Sequence, residues 1–147
     1  MRIGIAIRIC LLIAHVLIAS ASGGTVSLQS DGYGPEVKSF LEYMRHEEVE
    51  LEFQIRHNEI SHKDYIRSKN RIAVHRQTVL KIVRETGEDN VPELHVVAVT
   101  EVDELIENGT SALKHIKRGD VIAKKWRYIG SVSRGEVFYI FERLSAQ

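Results

Sequence analysis

The stretch that most constrains this chain is residues 61–87, where one helical period runs without a break. Ser61 followed by Asp64 is a capping-box-like start, in which the serine oxygen accepts from a free backbone N–H of the first turn. Tyr65, Ile66, Ile72, Ala73, Val79, Leu80 and Val83 recur at three- and four-residue steps, and Gly87 supplies a left-handed stop. At 1.5 Å per residue this is a rod of roughly 37 Å, longer than most globular helices, so it requires a packing partner. Lys69 and Arg76 stand inside its apolar stripe. Either their stems cover the core while their heads reach water, or they meet acidic groups on that partner.

The partner lies just upstream. Pro35 suits the first position of a helix, and Glu36 then sits in the first turn, where the helix dipole favours negative charge. Val37, Phe40, Leu41, Met44, Leu51 and Ile55 keep near-heptad spacing, broken at Glu47 and Glu48, while Val49 and Phe53 fall on a neighbouring face. Only His57-Asn58-Glu59-Ile60 separates the two patterns, which makes the helices antiparallel neighbours. Charge agrees: Glu36, Glu42, Glu47, Glu48, Glu50 and Glu52 make the first helix acidic, and Lys63, Arg67, Lys69, Arg71, Arg76, Lys81 and Arg84 make the second basic. Exposed pairs contribute on the order of 0.2–1 kcal/mol each, so the asymmetry guides pairing and apolar burial holds it.

Around this turn, Leu51, Ile60-Ser61, Asp64-Tyr65, Lys69 and Ile72 resemble the marks of the short C-terminal helical domain found on many bacterial proteins. The resemblance implies a capped two-helix turn of a kind associated with oligomerisation. The usual glycine of that turn is missing here, and the stretch lies mid-chain.

After Gly87 the period changes. Leu94 to Thr100 is an apolar, β-branched run that reads as a strand buried on both faces. Thr100 with Asp103 repeats the capping signal for a short helix through Leu105 and Ile106, ended by Asn108-Gly109, with a further helical turn over residues 111–116. Residues 121–132 read as one half-buried strand, Ser133-Arg134-Gly135 as a turn, and residues 137–141 as the most apolar strand. Five of the ten aromatics, Trp126, Tyr128, Phe138, Tyr139 and Phe141, fall in this hairpin and mark it as the core against which the long helix lies. The expected fold is α+β: an N-terminal antiparallel helical hairpin, coiled-coil-like in spacing, packed on a small, mainly antiparallel three-stranded sheet with one or two short helices.

Residues 1–21 have a separate character: Arg2 and Arg8, an apolar run over residues 9–18, then Ala19-Ser20-Ala21 as a small-x-small cleavage site. This predicts a signal peptide cleaved after Ala21, and hence a secreted or periplasmic protein. The apolar run contains His15 and is shorter than the roughly 20 residues a membrane span needs, so no span is expected after cleavage. The only cysteine, Cys10, lies in this segment, so the mature chain has neither thiol nor disulfide. Residues 22–34, rich in Gly and Ser, read as a flexible leader, and residues 35–144 as a single α+β domain, with 35–87 the hairpin and 92–144 the sheet-containing part. Without Arg2 and Arg8, acidic side chains outnumber basic ones by two, which offers no overall attraction to nucleic acid.

No motif rises to a reaction. His46, His57, His62, His75, His95 and His115 remain after cleavage. His46-Glu47 lacks the second histidine of a zinc-protease helix, and Glu59 with His62 straddles a helix start, so no metal ligand is assigned. There is no Gly-x-Ser-x-Gly elbow and no phosphate loop, so no catalytic residue and no cofactor are assigned. Arg118-Gly119-Asp120 is explained as a turn before a strand, and the sequon Asn108-Gly109-Thr110 as a helix stop. The best candidate surface for an anionic partner is Lys117, Arg118, Lys124, Lys125, Trp126 and Arg127, since basic residues interleaved with aromatics can grip a polyanion; a solvated strand face gives the same pattern. The expected function is an exported non-catalytic binding or structural module, self-associating through its hairpin as a homo-oligomer or meeting a protein or anionic envelope partner. The alternative is a small secreted hydrolase or metal-dependent enzyme using His95 or His115.

Overall fold

A computed structural model of the protein describes residues 32–144. The signal peptide expected over residues 1–21, and all but the last three residues of the leader, lie outside the described residues.

The two long helices are α1 (Pro35–Arg56) and α2 (His62–Thr86). The start and stop of α2 follow the local sequence: Ser61 Oγ accepts from Asp64 N at 3.1 Å, and Gly87, at φ 73°, donates its N–H to Val83 O. The start of α1 does not. Gly34 has no side chain to offer, and the free N–H groups of Glu36 and Val37 donate instead to the two carboxylate oxygens of Asp89, each at 3.0 Å. Glu36 returns the bond by accepting from Val91 N at 2.8 Å. Glycine is required at position 34 because a Cβ there would overlap the Asp89 carboxylate.

Helix α1 buries Val37, Leu41, Met44 and Leu51, and it packs on α2. Arg76 Nη1 donates to Glu48 at 2.8 Å, so one of the two cations in the α2 stripe meets an acidic group of its partner helix. Lys69 instead donates to the Tyr65 hydroxyl at 3.1 Å and lies over that ring. The other side of α2 faces the sheet, where Arg67 pairs with Glu136 at 2.7 Å, Asn70 donates to Arg134 O, and Arg71 pairs with Glu101. The α2 helix is therefore a middle layer, with α1 outside it.

The fold is α+β as expected, but the sheet has four antiparallel strands where three were expected. In order across the sheet these are β1 (Leu94–Ala98), β4 (Glu136–Arg143), β3 (Trp126–Arg134) and β2 (Val121–Ile122). The extra strand arises because residues 121–132 are not continuous. Ala123 and Lys124 take positive φ, 51° and 57°, and Lys125 N donates to Ile122 O, so the chain doubles back there. A bulge between Tyr128 and Gly130 then shifts the β3–β4 register. One face of the sheet, carrying Leu94, Val96, Ala98, Phe138 and Ile140, shares a core with Val37 and Leu41 of α1 and Val74, Val79 and Val83 of α2. The opposite face carries Trp126, Tyr128 and Phe141 and packs on Ile106, Leu105 and Leu113.

The segment covering that second face holds two short helices, α3 (Val102–Leu105) and α4 (Gly109–Ala112). The first strand stops at Ala98, short of Thr100, because Glu101 takes the Ala98 N–H at 2.9 Å and a 3-10 turn, Val99–Glu101, follows. Asp103 does not pair with Thr100; its carboxylate accepts from both the backbone N–H and the hydroxyl of Thr110, each at 2.9 Å. Asn108 takes a left-handed φ of 55° where Asn108-Gly109 was expected to stop the helix, but Gly109 opens α4 and is buried, with space for a Cβ filled by Val102.

Candidate functional site

The basic segment lies on the β2–β3 hairpin and the loop before it. Gly119 N donates to Tyr128 O and Tyr128 N to Asp120 O, both at 2.8 Å, so Lys117 and Arg118 sit beside β3 near Tyr128. Lys124 and Lys125 occupy the hairpin turn, about 13 Å further along at 3.3 Å per residue. Lys117, Arg118, Lys124, Lys125 and Arg127 are exposed, whereas Trp126 is buried at 4% exposure. The indole lies in the lower core with the His95 ring edge-on at 4.5 Å, and Lys125 Nζ sits 4.8 Å from its centroid. Arg127 is paired to Glu142 at 3.1 Å across the β3–β4 ladder. The six residues thus form no single grip: the aromatic is a core anchor, one cation is neutralised, and four cations remain along an edge hairpin.

A second surface was only half legible. The face of α1 turned away from α2 exposes Tyr43 (56%), Val49 (52%) and Phe53 (43%). Val49 and Phe53, one turn apart, already stood off the buried stripe in the sequence; what the sequence could not give is that no other layer of residues 32–144 packs over them, because α1 is the outermost layer. The polar groups between them are ordered along the helix. Glu42 pairs with Arg45 at 2.6 Å and with His46 at 3.2 Å. The hydrogen bond from Arg45 holds the Glu42 carboxyl below its ordinary range, with the His46 charge adding to the effect. Phe53 stacks on His57 at 3.9 Å between centroids, and Arg56 donates from Nε to Glu52 O.

The remaining histidines are dispersed. His75 lies against Phe40, ring edge to face at 5.3 Å, between the two long helices; burial pushes its pKa down, and the His95 charge adds to that. His95 approaches Glu93 at 3.6 Å, and Glu93 in turn pairs with Arg143 at 3.0 Å. His115 lines an open cleft with Asp120, Ala112 and Ile116. Among the described residues, no three His, Cys, Asp or Glu side chains come together in a geometry that could hold a metal ion. Among the same residues, no helix is long and apolar enough to cross a membrane.

No family model, no curated protein and no solved structure matches the chain.

Proposed function

We propose that this protein is an exported, non-catalytic binding module that self-associates through the outer face of its helical hairpin. The observation that supports this reading is the exposure of Val49 and Phe53, one turn apart, on a helix whose opposite side buries Val37, Leu41, Met44 and Leu51. A helix packed on one side only, with large apolar groups on the other, lowers its free energy by covering them. Export rests on Arg2, Arg8, the apolar run over residues 9–18 and Ala19-Ser20-Ala21, so expression in a secreting host should give a product beginning at Ser22. The functional test is sedimentation of that product over a hundredfold range of concentration, together with a screen for esterase, phosphatase and peptidase turnover. Concentration-dependent dimer without turnover is the expected result. Monomer throughout, or turnover abolished by His95→Ala or His115→Ala, would replace it with the hydrolase alternative or with a partner of another kind.

A further inference from the structure

Going one step beyond self-association as such, and resting on that reading, we infer that the partner is a second copy of this chain docked α1 against α1, antiparallel, with Val49 on the two-fold axis. The helix face is self-complementary about that residue. Glu42, Val49 and Arg56 are spaced by seven residues, two turns, so they drift by only about 20° per step around the helix and form one line along its outer side. In an antiparallel pair centred on Val49, positions seven away on either side face each other, while off the line a residue three before it faces one four after it, and one four before it faces one three after it. Glu42 then meets Arg56 of the second copy, seven residues out on the central line; on one flank Arg45 meets Glu52, and on the other His46 meets Phe53.

Each of these is a favourable encounter: a carboxylate with a guanidinium in the first two, and an imidazole with an aromatic ring in the third. Both copies contribute every pair, so each occurs twice, and Val49 packs on itself where its side chain is now half exposed to water. A parallel pair in register would set Glu42 on Glu42 and Arg56 on Arg56, which is repulsive at both ends. Among the described residues, neither Arg56 nor Glu52 is held in an ion pair within the protomer; Arg56 donates Nε to Glu52 O and keeps its other guanidinium donors for the partner, and Glu52 sits at the edge of the α1–α2 groove beside Tyr65 and Lys69. The contact is a single helix face about 33 Å long, small against the standard protein interface, so the dimer is weak and salt-sensitive.

The test uses the whole chain with Cys10→Ser, so that an introduced cysteine is its only thiol. Val49→Cys should give a disulfide-linked dimer under mild oxidation, because only a residue on the two-fold lies beside its own copy. Lys38→Cys, eleven residues away, is separated from its own copy by about 33 Å in this register and should stay monomeric. Glu42→Arg should weaken the unoxidised dimer at least tenfold in sedimentation, and adding Arg56→Glu should restore it, an outcome a mere loss of folding could not produce. Cross-linking at Lys38→Cys, or a dimer that neither cysteine traps and the charge swap leaves unmoved, would overturn this register while leaving self-association standing. Monomer alone for the parent chain at every concentration would overturn both.

Discussion

Asp89 does for the first helix what Ser61 does for the second, and the comparison separates what a sequence announces from what only a fold supplies. Ser61 reaches a backbone N–H three residues on, so its role is written in adjacent letters. Asp89 reaches Glu36 N and Val37 N across more than fifty residues, in a segment with no helical pattern of its own, and no local rule points to it. Asp89→Ala should lower stability by about 1 kcal/mol, read as the urea midpoint, and Gly34→Ala should cost at least as much because the new Cβ displaces the same carboxylate. An unchanged midpoint in both would mean that water caps α1 equally well. His75 gives the second test at this scale. Its folded pKa is depressed below the ordinary 6.5 by burial against Phe40, with the charge of His95 adding to it. The unfolded chain therefore takes up the proton first as pH falls, and the protein loses stability progressively from about pH 6.5 downward. Glu101 is opposite in kind. Burial would raise its carboxyl pKa, but the Ala98 N–H and the Arg71 guanidinium outweigh that and hold it low, so its contribution persists above the ordinary 4.5 and disappears only as pH falls below it. Stability measured at pH 7.5 and 5.5 should thus fall in the parent chain and fall much less in His75→Leu; equal slopes would remove His75 from the account.

At the scale of elements, the helices were legible almost to the residue and the strands were not, for a physical reason. A helix cap, a helix stop and a 3.6-residue stripe are all local, so Ser61, Gly87 and the buried Val37, Leu41, Met44 and Leu51 were readable in place. The β2–β3 turn is local too, yet it carries alanine and lysine at the two positions where the chain takes positive φ, with neither Gly nor Asn to mark it. Residues 121–132 therefore read as one strand. Left-handed backbone at a residue with a Cβ costs roughly 1–2 kcal/mol. Ala123→Asn and Lys124→Gly should each relieve part of that and raise stability by up to about 1 kcal/mol, seen as a higher thermal midpoint. Neither change touches the β3–β4 ladder, so a lower midpoint would mean that the turn is held by something other than its backbone. The site follows from plain strand alternation ahead of the bulge: Trp126 and Tyr128 share the face that closes the lower core, while Lys125 and Arg127 stay outside, so the aromatic and the cations that are neighbours in sequence part in space. Ala123→Asn keeps all of those cations, whereas Lys124→Glu with Lys125→Glu reverses two. If the hairpin meets an anionic partner, binding to vesicles containing anionic lipid should fall at least tenfold in the second variant and stay unchanged in the first.

For the whole molecule, the order of layers matters more than their number. The class, a helical hairpin on an antiparallel sheet, follows from periods and breakers alone, but which faces stay bare depends on stacking order, which no periodicity encodes. Here α1 lies on α2, α2 on the sheet, and the sheet on a segment whose two helices are four residues each. The two cores are consequently unequal. The upper one joins both long helices to Leu94, Val96, Phe138 and Ile140; the lower one closes Trp126, Tyr128 and Phe141 under Ile106 and a few half-buried side chains. Helices of one turn have no stability of their own, since nucleation is unfavourable and there is nothing to propagate, so α3 and α4 exist only while docked. Their attachment rests on Val102 and Ile106, on the close approach of Gly109 to Val102, and on the Asp103 carboxylate gripping Thr110. This layer should open without the rest: amides of residues 102–113 should exchange at lower protection than those of α2 in native-state hydrogen exchange, and should do so independently of denaturant at low concentration. Gly109→Ala, which forces a Cβ against Val102 Cγ1 at 2.5 Å, should accelerate exchange over that segment while leaving the amides near Val79 at their global rate. If both segments instead exchange together, with one free energy and one denaturant slope, the two cores are a single cooperative unit and the unequal layering has no dynamic consequence.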